Sequence, residues 1–424
     1  MHRTRGVFST LTQPIYTHQF ENGLVLVAEP MDWLESAAFS LLVVAGCSRD
    51  PAGLLGLANL TCEMAQRGCG SRDSRQFVSD LELLGADTSA SVSTVHCSYG
   101  GAMPAESLLE TLAIYADLVR RPHLPPDQLD DARQVCIQEI RAIEDELAQK
   151  AFQELRRLQY GDPFGRSSPG TIEGVESVSE ADLARFFAGT YRPNGAILSV
   201  AGKFDWPQLL DHAGRLLADW IAGDAPQWQD TPAAERVVHL PQESSQTHIG
   251  IGYASVPYSH PDYYEARAAV GVLSDGMSSR LFTEVRENRG LCYAVQANCH
   301  SLRDRGSVLC YAGTTTERAQ ETLDVVLAEL IRLGRGIAQD ELDRLKAKLK
   351  SSLIMQQESS PSRSYSIAAD WYHQGRVQTV DEVRAIIDGL SCDRINAYLE
   401  SHPPRDFRLV TLGEKPLELP VGIS

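Results

Sequence analysis

Basic residues are scarce in this chain, 39 Lys and Arg against 56 Asp and Glu, which gives a net charge of −17 and a pI near 5.1. A protein that neutralises a phosphate backbone needs the opposite balance, so the composition argues against nucleic acid as a partner. No apolar run is long enough to span a bilayer. The nine cysteines (47, 62, 69, 97, 136, 292, 299, 310 and 392) are odd in number and include no C-x-x-C pair. Neither a disulfide framework nor a thiolate zinc site is indicated, and they read as buried thiols acting as small hydrophobes. The eleven histidines are scattered, none four residues from another on a helix, and each reads as a core or surface residue. No secretory apolar region opens the chain, which points to the cytoplasm. The first twenty residues contain no acid and faintly resemble an organelle-targeting segment, an alternative weakened by Pro14 and the strand-like residues after it.

What is present is ordinary in bulk and patterned in detail. The 424 residues, 43% hydrophobic and 22% charged, suit a globular protein of two or more domains. Tyr16–Phe20 and Leu24–Ala28 flank Asn22-Gly23, a hairpin signal. A buried strand is expected over Ala37–Ala45, a helix over Gly53–Gln66, a second helix over Ser74–Leu84 stopped by Gly85, and one strand over Thr88–Gly100. Ala105–Val119 is amphipathic and helical. From Pro125 a single long helix is expected, its apolar beat running through Ile137, Ile140, Ile143, Leu147, Ala151, Leu155 and Leu158 to Gln159. The turn-rich stretch Tyr160–Thr171 ends it. A helix (Ser179–Ala188), a strand (Ala196–Ala201) and a helix (Trp206–Trp220) follow, and Ala222–Thr231 is rich in Pro, Gly and Asp and reads as a linker.

The second half repeats the first. Glu110-Thr111-Leu112 returns as Glu321-Thr322-Leu323, Asp127-Gln128-Leu129 as Asp340-Glu341-Leu342, and Gly202 after ILSVA as Gly413 after RLVTL, at offsets of 211, 213 and 211. Three anchors in one order at nearly one offset indicate a duplication. The expected fold is α+β, with two homologous domains, each an antiparallel-rich sheet packed with helices. The bounds are 1–221, a linker over 222–236, and 237–424.

Gly276–Val295, GMSSRLFTEVRENRGLCYAV, reads as a helix from Ser279 to about Asn288, a stop at Gly290 and a strand-like run from Leu291. Arg286 and Tyr293 stand out in it. A guanidinium and a phenol held together can both donate hydrogen bonds to an oxygen that becomes negative during acyl transfer. The plainer reading of the spacing makes Arg286 an ion-pair partner of Glu284 or Glu287, and Tyr293 a half-buried strand residue.

The duplicated halves, GCSRDPAGLLGLA (Gly46–Ala58), the long helix containing Glu139, the YGDPFGRSSPGT turn and the Arg286/Tyr293 pair together resemble the pitrilysin/insulinase/mitochondrial-processing-peptidase family over nearly the whole chain. These are inverted zincins, with H-x-x-E-H on a helix and a distant glutamate. After Gly56-Leu57-Ala58 this chain reads Asn59-Leu60-Thr61-Cys62-Glu63. Both histidine positions are lost, to Asn59 and Glu63. Cys62 stands at the general-base position, and only Glu139 matches the third ligand. An amide, a thiol and two carboxylates are a poor zinc set, and no base is left to activate water. A salvaged metal site on Cys62, Glu63 and Glu139 is a minor alternative, and a reactive thiol at Cys62 a weaker one.

The resemblance implies a division of labour, because some members of the family work as two-chain enzymes. One chain bears zinc and the other supplies the Arg/Tyr pair that holds the substrate carbonyl and its oxyanion. The sequence is expected to be the second kind, with catalytic residues Arg286 and Tyr293, no cofactor of its own, zinc in a homologous partner, and peptides or unfolded segments as substrate. The stretch Val270–Ser279, where partner chains of processing peptidases carry a glycine-rich loop, is short here, which favours a general peptidase over presequence cleavage. The rival expectation is a silent scaffold of the same fold, as in respiratory-complex core subunits.

Overall fold

The computed structural model describes residues 14–224 and 227–419. Most of the acid-free N-terminal segment, and Ala225-Pro226 of the expected linker, lie outside the described residues. The strands of the first half are β1 (Tyr16–Gln19), β2 (Val25–Pro30), β3 (Ser36–Val43), a short ribbon of β4 (Gly68–Cys69) and β5 (Arg72–Asp73), β6 (Asp87–Val92), β7 (Cys97–Pro104) and β8 (Ile197–Gly202). Those of the second are β9 (Val237–Pro241), β10 (Gln246–Ser255), β11 (Cys292–Ser301), β12 (Gly306–Thr315) and β13 (Arg408–Gly413).

The two main sheets have one plan. The first runs β1-β2-β8-β3-β7-β6 and the second β11-β12-β10-β13-β9. Without β1 the orders superimpose, β2-β8-β3-β7-β6 on β9-β13-β10-β12-β11. In each, one pair is parallel (β2 with β8, β9 with β13) and every other pair is antiparallel. The duplication anchors land on equivalent places: Glu110 and Glu321 lie in the first turns of the helices Leu108–Arg120 and Ala319–Leu333. Each half has its own apolar core of sheet and helices, so the fold is α+β as the sequence pattern implies.

The central strands are buried along their whole length, and side-chain alternation explains how. Leu26, Ala28, Leu41, Val43, Leu198 and Val200 face the first half's own helices. The intervening Val25, Val27, Leu42 and Ile197 meet Ile367 and Ala368 of the helix Ser360–Gln374, which comes from the second half. The exchange is mutual: Leu155 and Leu158 of the helix Leu147–Tyr160 pack on Leu309 and Val410 of the second sheet. Each sheet is thus covered on one face by a helix from the other half.

That exchange corrects the single long helix. The chain breaks at Glu146 (φ −90°, ψ 86°) into Leu129–Asp145 and Leu147–Tyr160. The apolar beat continues across the break, but the second piece serves a different sheet. Thr88–Gly100 is likewise not one strand but the hairpin β6–β7. Its turn carries no Gly or Pro and is closed by Ser93, whose N–H donates to the His96 carbonyl (2.8 Å) and whose Oγ accepts from the His96 N–H (3.1 Å). His96 therefore sits in a turn rather than in a strand. The expected Gly53–Gln66 helix begins only at Leu57, after Gly56 in the left-handed region. Half of Val270–Ser279 is helical, inside Tyr263–Ser274. Among the described residues no helix is long and apolar enough to cross a membrane.

Candidate active site

The helix Leu57–Ala65 carries the former ligand positions, and its start is tightly held. The Asp50 carboxylate accepts the N–H groups of Gly56 and Ala58, both at 2.8 Å, and so fills the role of an N-terminal cap. Burial pushes the Asp50 carboxyl up to about 7. Gly56 has φ 105°, and a Cβ there would stand 2.6 Å from the Pro169 carbonyl oxygen, so only glycine fits.

Asn59 and Glu139, eighty residues apart, meet on facing helices. The Asn59 amide donates to Glu139 Oε2 at 2.8 Å and lies 3.7 Å from Cys136 Sγ. Glu63 turns instead to Arg67 on its own helix, accepting from Nε at 3.2 Å and Nη2 at 2.8 Å. The spacing of the two is that of an i,i+4 helical ion pair, a signal present in the sequence. Cys62 is buried, and its thiol hydrogen-bonds Cys97. This contact, and then burial, hold it well above the usual thiol range. Cys97 in turn accepts from Tyr191 Oη at 3.3 Å, and Tyr191 Oη lies 2.8 Å from Tyr99 Oη.

Three side chains of the old motif therefore point to three different partners. The site lacks a zinc set: Asn59 binds a carboxylate, Glu63 is neutralised by a guanidinium, and Cys62 is sealed in the core. No group of three His, Cys, Asp or Glu among the described residues is placed to hold a metal ion. The salvaged site on Cys62, Glu63 and Glu139 does not form. The reactive-thiol reading of Cys62 fails too, because a reactive thiol needs a lowered pKa and access.

The structure brings Arg286 and Tyr293 together. The segment before the stop is a π-helix, Phe282–Asn288, rather than the α-helix that the periodicity implies. Wider turns of this kind recur at functional sites. The Leu291 N–H then donates to the Val285 carbonyl at 2.9 Å, which swings the chain into β11. β11 is an edge strand whose register with β12 shifts between Cys292 and Ala294, so Tyr293 occupies an irregularity that aims its side chain outward. Tyr293 is 84% exposed, not half-buried. The Arg286 guanidinium carbon lies 5.0 Å from the Tyr293 ring centroid and 4.8 Å from that of Phe282, a cation held between two rings. Phe282 stands four residues before Arg286, the spacing at which helical side chains meet.

The ion-pair reading of Arg286 fails. Glu284 accepts from Arg289 (2.8 Å) and Asn288 (3.0 Å), and among the described residues no carboxylate pairs with Arg286. The side chain is positioned by ring faces, which leave its N–H donors open. The vestigial positions lie in the first half, where Cys62 joins the apolar core, and the pair lies in the second, beside the core residues Val285 and Cys292. A cavity of about 680 Å³ is lined by residues that include Leu55, Glu144, Arg157, Arg166 and Glu235, and by none of the vestigial positions.

Three histidines also converge where the halves meet, which their scatter in sequence concealed. The His96 ring stands edge-on to Tyr372 at 4.4 Å, His373 lies next along the same helix, and His300 Nδ1 is 2.6 Å from Tyr160 Oη. Burial lowers His96 to about 3, and His300 and His373 each to about 4.

Comparison with known proteins bears on the family and the fold. The family model described as Insulinase (Peptidase family M16) matches residues 27–169, and that described as Peptidase M16 inactive domain matches 177–349. A Rickettsia bellii protein described as a zinc protease is 24% identical over 371 residues, covering 87% of this chain and 90% of its own. The crystal structure of a peptidase M16 inactive domain from Pseudomonas fluorescens superposes with a TM-score of 0.87 at 22% identity, covering 96% of this chain and 100% of that one. A chain of complex III2 from Candida albicans superposes with a TM-score of 0.82 at 18% identity, covering 95% and 96%. With most of both halves matched by models of one family, the chain belongs to the insulinase family of peptidases, M16.

Proposed function

We propose that this chain is the non-catalytic subunit of a heterodimeric zinc metalloendopeptidase acting on peptides or unfolded segments. The observation that carries the reading is the Arg286–Tyr293 pair, in contact, with Tyr293 exposed, Arg286 half-buried and no acidic partner for it among the described residues, in a chain whose zinc positions are otherwise engaged. A guanidinium bonded to carboxylates has no role to play at an oxyanion, whereas one braced by Phe282 and Tyr293 keeps its donors for a ligand. The metal belongs to a homologous partner chain, and the Arg286 and Tyr293 donors reach the scissile carbonyl from across the interface. The open edge of β11 beside Tyr293 suits an extended peptide, which can pair with an unpaired strand. A cytoplasmic location, supported by nine unbridged cysteines, and the division into 1–221 and 237–424 about a linker at 222–236 belong to the same proposal.

The test uses the chain copurified with a zinc-bearing homologue. Arg286→Ala and Tyr293→Phe each lower kcat on an unfolded peptide by about 10²–10³-fold, the usual cost of one oxyanion donor, while the complex still assembles. Full rate in an assembled variant complex overturns the cross-subunit role. So does stoichiometric zinc with robust cleavage by the lone chain. The second reading, a silent scaffold, draws on the likeness to a chain of complex III2, and it predicts that neither substitution changes any rate.

A further inference from the structure

A second cavity, of about 470 Å³, lies where the two sheets and the connecting segment meet, and neither the vestigial positions nor the Arg/Tyr pair lines it. Its apolar walls include Phe164, Trp228, Leu302 and Tyr372. The Phe164 and Trp228 rings stand 5.7 Å apart at 49°, and the Trp228 indole N–H donates to Ser48 Oγ at 3.2 Å, which fixes the ring. Its volume falls within the range of small-molecule sites, which are apolar with a few placed polar groups.

The charged and amide side chains at this cavity are engaged, with one exception among the described residues. The Asn194 side chain gives its amide N–H to the Gly223 carbonyl (3.1 Å) and accepts the Gly223 N–H (2.9 Å). Asp304 accepts from Arg305 Nε (3.2 Å) and Nη2 (2.9 Å), and Arg305 also holds Asp230 at 2.6 Å. Arg303 differs. Its carbonyl accepts from Ser259 Oγ, while its guanidinium carbon stands 5.9 Å from the Tyr372 ring centroid and has no ion pair or hydrogen bond among the described residues. An aromatic box with one unengaged guanidinium calls for a flat apolar body bearing one anionic group, and the planar fork of arginine matches a carboxylate.

We propose that this cavity binds an aromatic carboxylate, its ring among Phe164, Trp228 and Tyr372 and its carboxylate on Arg303. The same chemistry is offered by a free aromatic acid and by a peptide chain ending in phenylalanine. Calorimetric titration of the intact chain separates them, with 3-phenylpropionate and 3-phenylpropanamide in one arm and a tetrapeptide ending in Phe and its C-terminal amide in the other. At least one carboxylate binds saturably, and its neutral amide binds about 10-fold or more weaker. Arg303→Gln lowers the carboxylate's affinity by a similar factor and leaves the circular dichroism unchanged, since the side chain is exposed. Trp228→Leu, should it stay folded, abolishes the binding-linked change in tryptophan emission. The tighter carboxylate identifies the source. Absence of saturable binding up to about 10 mM, equal affinity for acid and amide, or undiminished binding by Arg303→Gln overturns the proposal.

Discussion

Removing the Glu29 charge will unfasten the helix that the second half lends to the first. Glu29 lies in β2 and Arg363 in the helix Ser360–Gln374, 334 residues apart in sequence, with side chains 1% and 4% exposed. Arg363 Nε donates to Glu29 Oε2 at 2.9 Å, and Nη2 donates to the same oxygen. Beside them Ser199 Oγ donates to the Ser364 carbonyl at 2.7 Å. Glu29→Gln keeps the shape and deletes the charge, and so leaves a buried guanidinium without a counter-ion. Breaking a buried pair in this way costs about 3–5 kcal/mol, or some two to three and a half decades in the unfolding constant. Removing both charges is a different perturbation. Glu29→Leu with Arg363→Met replaces the pair with apolar groups of similar volume, and such replacements are neutral or stabilising by about 1–4 kcal/mol. Urea unfolding followed by tryptophan emission tests both, because Trp371 lies on the same helix and packs at the same seam. A cost below about 1 kcal/mol for Glu29→Gln would refute the reasoning. So would a double variant as unstable as the single one, because the loss would then come from packing rather than from an orphaned charge.

Two further outcomes follow from the old motif and the seam. Asn59→His with Glu63→His restores H-x-x-C-H opposite Glu139, and mass spectrometry should find close to one zinc per chain where the parent has little. Cleavage should still be absent, because Cys62 supplies no base, and metal-free double variant would show that the helices no longer hold ligand geometry. The histidines set a pH dependence. Their folded pKa values, about 3 for His96 and about 4 for His300 and His373, lie below the ordinary 6.5, so the unfolded chain takes up protons that the folded chain refuses. Their contribution to stability is present above 6.5 and is lost as pH falls toward 4. Asp50, raised to about 7 from 3.8, has the opposite sign and loses stability as pH rises through that window. The difference between parent and His373→Gln isolates the histidine term: melting temperature should fall less steeply with acid in the variant, and parallel profiles would remove His373 from the account.

Much of the fold was legible. Short anchors such as Glu110 and Glu321 revealed the duplication because equivalent helix starts demand similar residues, and the structure places both in first turns. Where the sequence misled, the signal was local and the cause distant. Glu146 breaks a helix whose apolar period never falters, because the next piece is apolar toward the other sheet. Ser93 turns the β6–β7 hairpin with a hydroxyl and backbone rather than with Gly or Pro, so no punctuation marks it. At the site, the sequence showed that Asn59, Cys62 and Glu63 replace the zinc ligands and base, but not what they do instead.

The sequence by itself determined the family, the α+β class, the doubled plan and the loss of the zinc motif, because periodicity, turn chemistry and ligand identity are written in local order. Only the tertiary structure decided what those residues became. It paired Asn59 with Glu139 and Glu63 with Arg67, turned Cys62 into the core, and freed Arg286 by giving Glu284 to Arg289 and Asn288. The reason is physical: a charged or polar side chain is defined by the partner that satisfies it, and among several partners within reach only folding makes the choice.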